Sequence, residues 1–173
     1  MDELNRKTVA EIKQSRKLPL IVVLDNLRSL HNIGSIFRTC DAFLVEAIYL
    51  CGISACPPHK EIHKTALGAE DSVDWKYFKT AMHAIDHLQA NGFAVWGVEQ
   101  TENSVLLTDF TIETGNRYAL VFGNEVRGVD QDVVDHCEGC IEIPQFGAKH
   151  SFNVSVSAGI ALWECYKQFN LSL

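Results

Sequence analysis

The sequence predicts an α/β fold in which a parallel sheet is flanked by helices. Short continuous apolar runs, typical of strands buried on both faces, alternate along the chain with segments of helical periodicity. The length of 173 residues suits one domain, and a content of 47% apolar and 21% charged residues is ordinary for a globular protein. No apolar run reaches membrane-spanning length, and residues 1–7 lack the apolar core of a secretion signal. We therefore expect a cytoplasmic protein with no membrane contact.

Each element follows from its pattern of apolar residues. In the first half of the chain, the pattern predicts an amphipathic helix at residues 2–16, which ends before Pro19, and a strand at 20–24. It then predicts a helix at 33–43, a strand at 47–51, a helical segment at 59–67 and an extended piece at 73–78. In the second half, the pattern predicts a helix at 80–90, strands at 93–98 and 118–122, a short helix at 130–136, a strand at 140–143 and a last helix at 153–169. The last helix is apolar nearly all round, so we expect it to be deeply buried.

Charge is distributed unevenly along the chain. The net charge of −7 argues against indiscriminate binding to nucleic acid, but residues 1–38 hold seven Lys and Arg against four Asp and Glu. We expect residues 1–18 to form a separate basic helix and residues 19–173 to form the main domain. This excess of basic residues suits a protein that binds phosphate groups at one place. A solvated helix face explains the excess equally well.

The six cysteines do not require a metal. Cys137 and Cys140 form a C-x-x-C pair that Cys51 and Cys56 could in principle complete as a zinc site. The second pair has loose spacing and no flanking glycine-rich knuckle, and a cytosolic chain of this length needs no disulfide staples. We therefore expect reduced thiols and no metal.

Three polar segments follow the predicted strands. Parallel sheets bind ligands outside the carboxyl ends of their strands, which here places ligands after Leu24, Phe122 and Ile143. In the first segment, Asn32 is a candidate helix cap, and Arg38 lies among core positions. An arginine in that setting either binds an anion or pairs with a carboxylate such as Asp41 or Glu125.

The second and third segments supply backbone groups and further polar side chains. Gly123 follows a strand and permits close approach of a ligand to the backbone, and Glu125 comes two residues later. In the third segment, Ser151 or Asn153 can cap the last helix, whose N-terminus favours an anion. The spacings of phosphate-binding and dinucleotide-binding glycine loops are absent.

Taken in order, the three segments resemble the motifs of the SpoU (TrmH-type) branch of the SPOUT RNA methyltransferases. Motif one, N-x-G-x-x-x-R, is matched by Asn32–Arg38, and motif two, L-V-x-G-x-E-x-x-G, by Leu120–Gly128. Motif three is matched by Ile143–Gly147 followed by Ser151–Ser157. Thr65–Glu70 also looks like the family's stretch between motifs one and two. The resemblance covers nearly the whole chain from about residue 18.

The resemblance implies a fold, a cofactor and a site. The fold would be a SPOUT methyltransferase domain over residues 19–173 with a C-terminal trefoil knot, and members are dimers with the methyl-donor pocket at the subunit interface. The catalytic group would be Arg38, with further polar residues around it, namely Asn32, Glu125, Ser151 and Asn153. S-adenosyl-L-methionine would be bound by Val98, Gly123, Ile143, Pro144, Gly147, Ser151 and Phe152.

Two positions depart from the family pattern. Phe152 replaces the usual Leu of motif three, which should reshape the donor pocket but keep it apolar. Val126 replaces the commoner Gly of motif two, and because Val does not take positive φ readily, we expect a different local turn. Neither change removes a catalytic candidate.

The resemblance implies methyl transfer to a ribose 2′-hydroxyl of structured RNA. Motif one looks closest to that of tRNA guanosine D-loop methyltransferases, so tRNA is the favoured substrate. An rRNA 2′-O-methyltransferase and a non-catalytic RNA-binding relative are the alternatives. A generic nucleotide-binding α/β protein is disfavoured because phosphate-loop spacing is absent.

Overall fold

The computed structural model describes residues 8–148 and 151–171. The strands found in this part of the chain are β1 Leu18–Asp25, β2 Val45–Cys51, β3 Asp74–Phe78, β4 Phe93–Val98, β5 Val105–Leu106, β6 Arg117–Phe122 and β7 Gly139–Glu142. The helices are α1 Val9–Gln14, α2 Leu30–Ala42, α3 Lys60–Ala66, α4 Ala69–Ser72, α5 Ala81–Ala90, α6 Gln131–His136 and α7 Val154–Leu171.

The strands form a single sheet in the order β3-β2-β1-β6-β4-β7-β5, and every pair of neighbours is parallel. This confirms the predicted parallel sheet flanked by helices. The two-residue strand β5 and the single-turn helix α4 were not predicted, because neither is long enough to show periodicity. The helix predicted over 2–16 is found as Val9–Gln14, and residues 1–7 lie outside the described part.

The central strand β1 begins earlier than its apolar run and includes Pro19. Proline lacks the backbone N–H that a residue inside a sheet donates to a neighbouring strand. The structure accommodates it by a shift in the pairing of β1 with β2 between Leu18 and Ile21. From Leu20 to Leu24 every residue is at most 2% exposed, as expected for a strand covered on both faces.

Alternating residues of the strands divide the core into two layers. Leu20 and Leu24 of β1 pack with residues of α2 and α7 on one face of the sheet. Ile21 and Val23 pack with residues of α5 and α6 on the other face. The period of two along each strand therefore explains why helices cover both faces.

Helix α7 contradicts the expectation of deep burial. Its buried residues lie on the side that packs against α2 and the sheet, namely Ala158, Ala161, Leu162 and Cys165. On another side, Val156 is 47% exposed and Trp163 is 50% exposed. The helix therefore carries an apolar side that the described residues of this chain leave about half exposed. None of the described helices is long and apolar enough to cross a membrane.

Candidate functional site

A cavity of about 540 Å³ lies at the carboxyl ends of β4, β6 and β7. Apolar side chains line one part of it, namely Val98, Phe122, Ile141, Ile143, Phe152 and Val154. Polar side chains line the rest, including Glu99, Gln100, Asn124, Glu125 and Gln145. The cavity thus lies at the edge where ligands bind parallel sheets, and it offers both an apolar and a polar surface.

Most of the residues expected to bind a donor line this cavity. Val98, Gly123, Ile143, Ser151 and Phe152 all do, together with Glu125 and Asn153. Pro144 and Gly147 are not in the lining. The neighbouring Phe146 is 98% exposed, whereas Gln145 before it and Ser151 after it in the loop between β7 and α7 do line the cavity. Residues 149 and 150 of this loop lie outside the described part.

Glu125 ties the turn after β6 to the start of α2. Its Oε2 accepts a hydrogen bond of 3.0 Å from the backbone N–H of Arg28, and its Oε1 accepts one of 2.9 Å from that of Ser29. Oε1 also accepts a hydrogen bond of 3.2 Å from Asn32 Nδ2. Burial raises the pKa of the Glu125 carboxyl, but these hydrogen bonds outweigh it, so the pKa is lowered overall. Glu125 is therefore ionised at neutral pH and holds the loop before α2.

Asn32 joins the second and third segments. It donates to Glu125, and its Oδ1 accepts a hydrogen bond of 3.1 Å from Asn153 Nδ2. The Asn153 Oδ1 in turn accepts a hydrogen bond of 2.9 Å from the backbone N–H of Ser155, which confirms Asn153 as a cap of α7. One residue from each of the three sequence motifs thus enters a continuous chain of hydrogen bonds, which we call the Asn32 network: Glu125, Asn32 and Asn153.

The suggestion that Asn32 caps α2 is wrong. The helix begins at Leu30, and Ser29 is its cap, because Ser29 Oγ accepts a hydrogen bond of 3.2 Å from the backbone N–H of Asn32. Asn32 therefore lies in the first turn, and its side chain is free to bridge Glu125 and Asn153. Serine was the better cap candidate, and its position one residue before Leu30 could have identified it.

The turn after β6 is built differently from a glycine-rich turn, as expected from Val126. Asn124 Oδ1 accepts hydrogen bonds of 2.9 Å from the backbone N–H of Val126 and 3.2 Å from that of Arg127. Gly128, with φ of +71°, supplies the left-handed residue. Val126 is 78% exposed and is not among the residues with positive φ.

Gly123 is required for a reason other than ligand approach. A Cβ atom at this position would lie 2.2 Å from the carbonyl carbon of Gly128 and 2.3 Å from the nitrogen of Val129. The close neighbour is thus the chain's own backbone. Glu99, which sequence reasoning did not single out, braces the same turn by accepting a hydrogen bond of 3.0 Å from the Val129 N–H.

Arg38 lies away from the cavity. Arg38 comes six positions after Asn32, and at about 100° per residue this offset turns the two side chains about 120° apart around α2. Arg38 lines a separate hollow of about 550 Å³ between α2 and α3, together with Ser35, Thr39, Ala42, Phe43, Lys64 and Thr65. The structure therefore brings Asn32, Glu125, Ser151 and Asn153 together and leaves Arg38 outside that group.

Arg38 does not form the predicted alternative ion pair. The hydroxyl of Ser72 donates a hydrogen bond to Asp41. Glu125 accepts hydrogen bonds from Arg28, Ser29 and Asn32 instead. Within the described residues, the exposed guanidinium of Arg38 has no ion-pair or hydrogen-bond partner. It is available to an anionic ligand.

Asp25, at the carboxyl end of β1, is a buried acid that the sequence did not reveal. It is only 3% exposed, and burial, assisted by the nearby charge of Asp130, raises its pKa to about 6. Its Oδ1 accepts a hydrogen bond of 2.9 Å from Asn26 Nδ2. The carboxyl is close to half-ionised at mildly acidic pH, which gives the fold a titrating group in its interior.

The cysteines are thiols of raised pKa. Burial raises the pKa of Cys51 and of Cys137 to about 12, so both are protonated near neutral pH. The described residues contain no group of three or more His, Cys, Asp or Glu side chains arranged to hold a metal ion.

Sequence comparison places the chain among known RNA-modifying proteins. The profile of the SpoU rRNA Methylase family matches residues 19–163. A protein of Staphylococcus saprophyticus, named as a TrmH family tRNA/rRNA methyltransferase, is 31% identical over 163 residues, which are 94% of this chain and 64% of that protein. The chain thus spans just under two thirds of that relative's length.

Solved structures agree with this family. The A. aeolicus TrmH/SpoU tRNA modifying enzyme superposes with a TM-score of 0.83 at 27% identity, covering 95% of this chain and 83% of that one. The AdoMet-bound rRNA methyltransferase from Sinorhizobium meliloti superposes with a TM-score of 0.80 at 25% identity, covering 90% of this chain and 59% of that one.

Proposed function

Because this chain belongs to the SpoU rRNA methylase family, we propose that it transfers a methyl group from S-adenosyl-L-methionine to a ribose 2′-hydroxyl of structured RNA. The Asn32 network carries this proposal. It joins one residue from each of the three family motifs, and two of its members, Glu125 and Asn153, line the cavity. Residues 19–173 would form the methyltransferase domain, with the basic residues 1–18 as an accessory element.

The cavity suits the donor in size and chemistry. Its volume of about 540 Å³ is within the range of small-molecule sites. The donor combines an adenosyl group with a charged amino acid, and the cavity offers Val98, Ile143 and Phe152 to the first and polar groups to the second. When bound, S-adenosyl-L-methionine supplies an electrophilic methyl group on its sulfonium.

The chain's own residues would position the ribose. Glu125 holds the start of α2 and accepts a hydrogen bond from Asn32, which in turn orients the amide of Asn153 in the cavity lining. Ser151, exposed in the cavity lining, would contact the donor or the ribose. Such preorganised polar groups favour transfer by holding the hydroxyl in line with the methyl group.

Arg38 would bind the phosphate beside the target ribose and stabilise the developing alkoxide. A guanidinium has a pKa above about 12 and is a poor general base, so the proton would leave through a neighbour or water. The test is the pH–rate profile of Arg38→Lys beside that of the wild type. A lysine cannot reproduce bidentate phosphate binding, so we expect a large loss of rate at every pH. Near-full activity of the lysine variant would reject this role.

We propose tRNA as the substrate, with a D-loop guanosine as the target. Motif one supports this, and the related A. aeolicus protein is a tRNA modifying enzyme, whereas the Sinorhizobium meliloti relative is an rRNA methyltransferase. Mapping 2′-O-methyl groups in RNA from cells with and without this protein distinguishes the two. Loss of a tRNA D-loop methyl group is the expected result, and loss confined to rRNA would support the alternative.

We also propose a homodimer with the donor cavity at its interface, and a C-terminal trefoil knot. The half-exposed apolar side of α7, with Val156 and Trp163, supports the dimer. The N-terminal end of α7 lines the cavity, whereas Trp163, farther along, contacts Phe43 in the wall of the Arg38 hollow. Antiparallel packing of two α7 helices would therefore bring the cavity of one subunit near the Arg38 hollow of the other. Membership of the family supports the knot, which a chain trace in an experimental density map would test.

The competing function is a non-catalytic RNA-binding relative. Donor binding by calorimetry and transfer of a tritiated methyl group to RNA decide between them. The enzyme binds the donor and labels RNA, and variants Asn32→Ala and Glu125→Ala lose labelling. RNA binding without donor binding or labelling would support the alternative.

A further inference from the structure

The hollow that contains Arg38 carries a second cation. Lys64 of α3 lines it opposite the residues of α2, and none of its lining residues is an Asp or a Glu. Hydroxyl groups of Ser35, Thr39 and Thr65 and one aromatic ring, Phe43, complete the wall. On a chain with a net charge of −7, a hollow with two cations and no acid in its wall favours an anion.

Lys64 is held in place at the rim of the hollow. Its Nζ forms an ion pair of 2.7 Å with Glu61 Oε1, and the other oxygen of Glu61 lies 3.1 Å from His31 Nε2. An ammonium group has three N–H donors, so the contact with Glu61 leaves donors for a further acceptor. The Lys64 side chain is 54% exposed, which makes it accessible to a macromolecule.

The packing of α3 on α2 fixes the relative backbone positions from which the two cationic side chains extend. Thr65 Oγ1 donates a hydrogen bond of 3.0 Å to the carbonyl of His31, and Gly34 leaves no side chain between the helices. Lys64 directly precedes Thr65, so this contact sets its position relative to Arg38. A phosphodiester chain carries one negative charge per nucleotide and suits a pair of cations spaced along its path.

We propose that Lys64 is a substrate-positioning residue, which binds an RNA phosphate next to the one held by Arg38. This inference depends on the proposed function, since it assigns a further contact to the same RNA. Lys64 acts on binding and orientation of the RNA and takes no part in methyl-donor binding.

Lys60 provides a matched control. It has the same charge, lies one turn earlier on α3 and is exposed, but it does not line the hollow. The experiment compares Lys64→Gln, Lys64→Arg and Lys60→Gln in the full chain. It measures KM and kcat for RNA from cells that lack the protein, the salt dependence of RNA binding, and calorimetric donor affinity. Thermal unfolding checks that each variant is folded.

For Lys64→Gln we expect KM to rise about tenfold, as for loss of one exposed charge-assisted hydrogen bond, while kcat changes less than about twofold. The slope of log K against log salt should fall by about 0.7 to 0.9, which is the loss of one phosphate contact. Lys64→Arg should retain most of the affinity for RNA. Lys60→Gln should change the salt slope by less than half as much as Lys64→Gln. The affinity for the methyl donor should stay constant in all three variants.

Equal effects of Lys64→Gln and Lys60→Gln, or a loss of donor affinity in Lys64→Gln, would overturn the inference. Failure of the proposed function gives a different result, because the wild-type protein itself would then transfer no methyl group to RNA. If the wild-type protein is active and Lys64→Gln changes neither KM nor the salt dependence, only the role of Lys64 is rejected.

Discussion

At the scale of single residues, Asn32 is where the three motifs meet. Its amide donates to Glu125 and accepts from Asn153, so a change in either partner alters the position of the same side chain. Glu125 also holds the backbone N–H groups of Arg28 and Ser29. This acid therefore acts through the geometry of α2.

Replacement of Glu125 by Gln should lower methyl transfer at least tenfold. Hydrogen bonds to a charged acceptor contribute roughly 1.5 to 3 kcal/mol each, and a Gln amide would turn an N–H group toward one of the three donors. Steady-state kinetics and calorimetric donor binding provide the measurement. Glu102→Gln, at an exposed position outside the cavity lining, is the control. Wild-type turnover and donor affinity in Glu125→Gln would refute the positioning role.

Asp25 should make the stability of the protein fall as pH rises from about 4 to 6. Its folded-state pKa of about 6 lies above the ordinary value of 3.8, so the folded state binds more protons than the unfolded state across this window. The cost of ionisation is complete above pH 6 and amounts to about 3 kcal/mol. Stability from this group is thus greatest at acidic pH.

Urea unfolding of the wild type and Asp25→Asn between pH 4 and 7.5 measures this effect. The amide can still accept a hydrogen bond from Asn26 but cannot ionise. We expect the variant to be more stable than the wild type at pH 7.5 and the difference to vanish near pH 4. A difference that is the same at all pH values would show that Asp25 does not titrate in the folded state.

At the scale of elements, the junction of α2 with α3 positions the hollow. A Cβ at Gly34 would lie 2.1 Å from Thr65 Oγ1 and 2.3 Å from the carbonyl oxygen of Ile62. Ile62 is fully buried, so α3 cannot move away without disturbing the core. The glycine of motif one is thus explained by helix packing.

Gly34→Ala should destabilise the protein by about 1 to 3 kcal/mol, the usual cost of overpacking. The control is Gly159→Ala in α7, where no atom lies within 4 Å of the added Cβ. There the better helix propensity of alanine should stabilise by up to about 1 kcal/mol. Both free energies of unfolding come from urea titration, and stabilisation by both substitutions would disprove the close packing.

Some elements were predictable from the sequence and others were not, for physical reasons. The run Leu20–Leu24 predicts a doubly buried strand, because all five residues are apolar and leave no polar face. The pairing of Val105–Leu106 depends on β7, so nothing local marks it. The motif N-x-G-x-x-x-R suggests that Asn32 and Arg38 act side by side, whereas helical geometry turns them apart.

At the scale of the whole molecule, the exposed apolar side of α7 bears on the dimer. An all-round apolar helix is buried either in its own core or against a partner, and sequence alone does not separate the two. Here Val156 and Trp163 remain exposed while Ala158 and Leu162 are buried. Burial of one side in the chain's own core and of the other against a partner subunit explains both observations.

Trp163→Glu should convert the dimer to a monomer and abolish methyl transfer, because a charge is costly to bury in an apolar interface. Light scattering after size exclusion measures the mass. A second test keeps Trp163 and mixes two inactive variants, Arg38→Ala and Glu125→Ala. If each site uses Arg38 of the other subunit, a mixed dimer contains one complete site, and the mixture should regain activity. A monomeric wild type, or a mixture that stays inactive, would contradict this arrangement.

The central claim is methyl transfer to a ribose hydroxyl, and its most direct test is the chemical form of the product. The purified chain is incubated with S-adenosyl-L-methionine carrying a deuterated methyl group and RNA from cells that lack the protein. The RNA is then digested to nucleosides for mass spectrometry. We predict a deuterated 2′-O-methylnucleoside, absent with Arg38→Ala. A label found only on a base, or no label in RNA at all, would contradict the account.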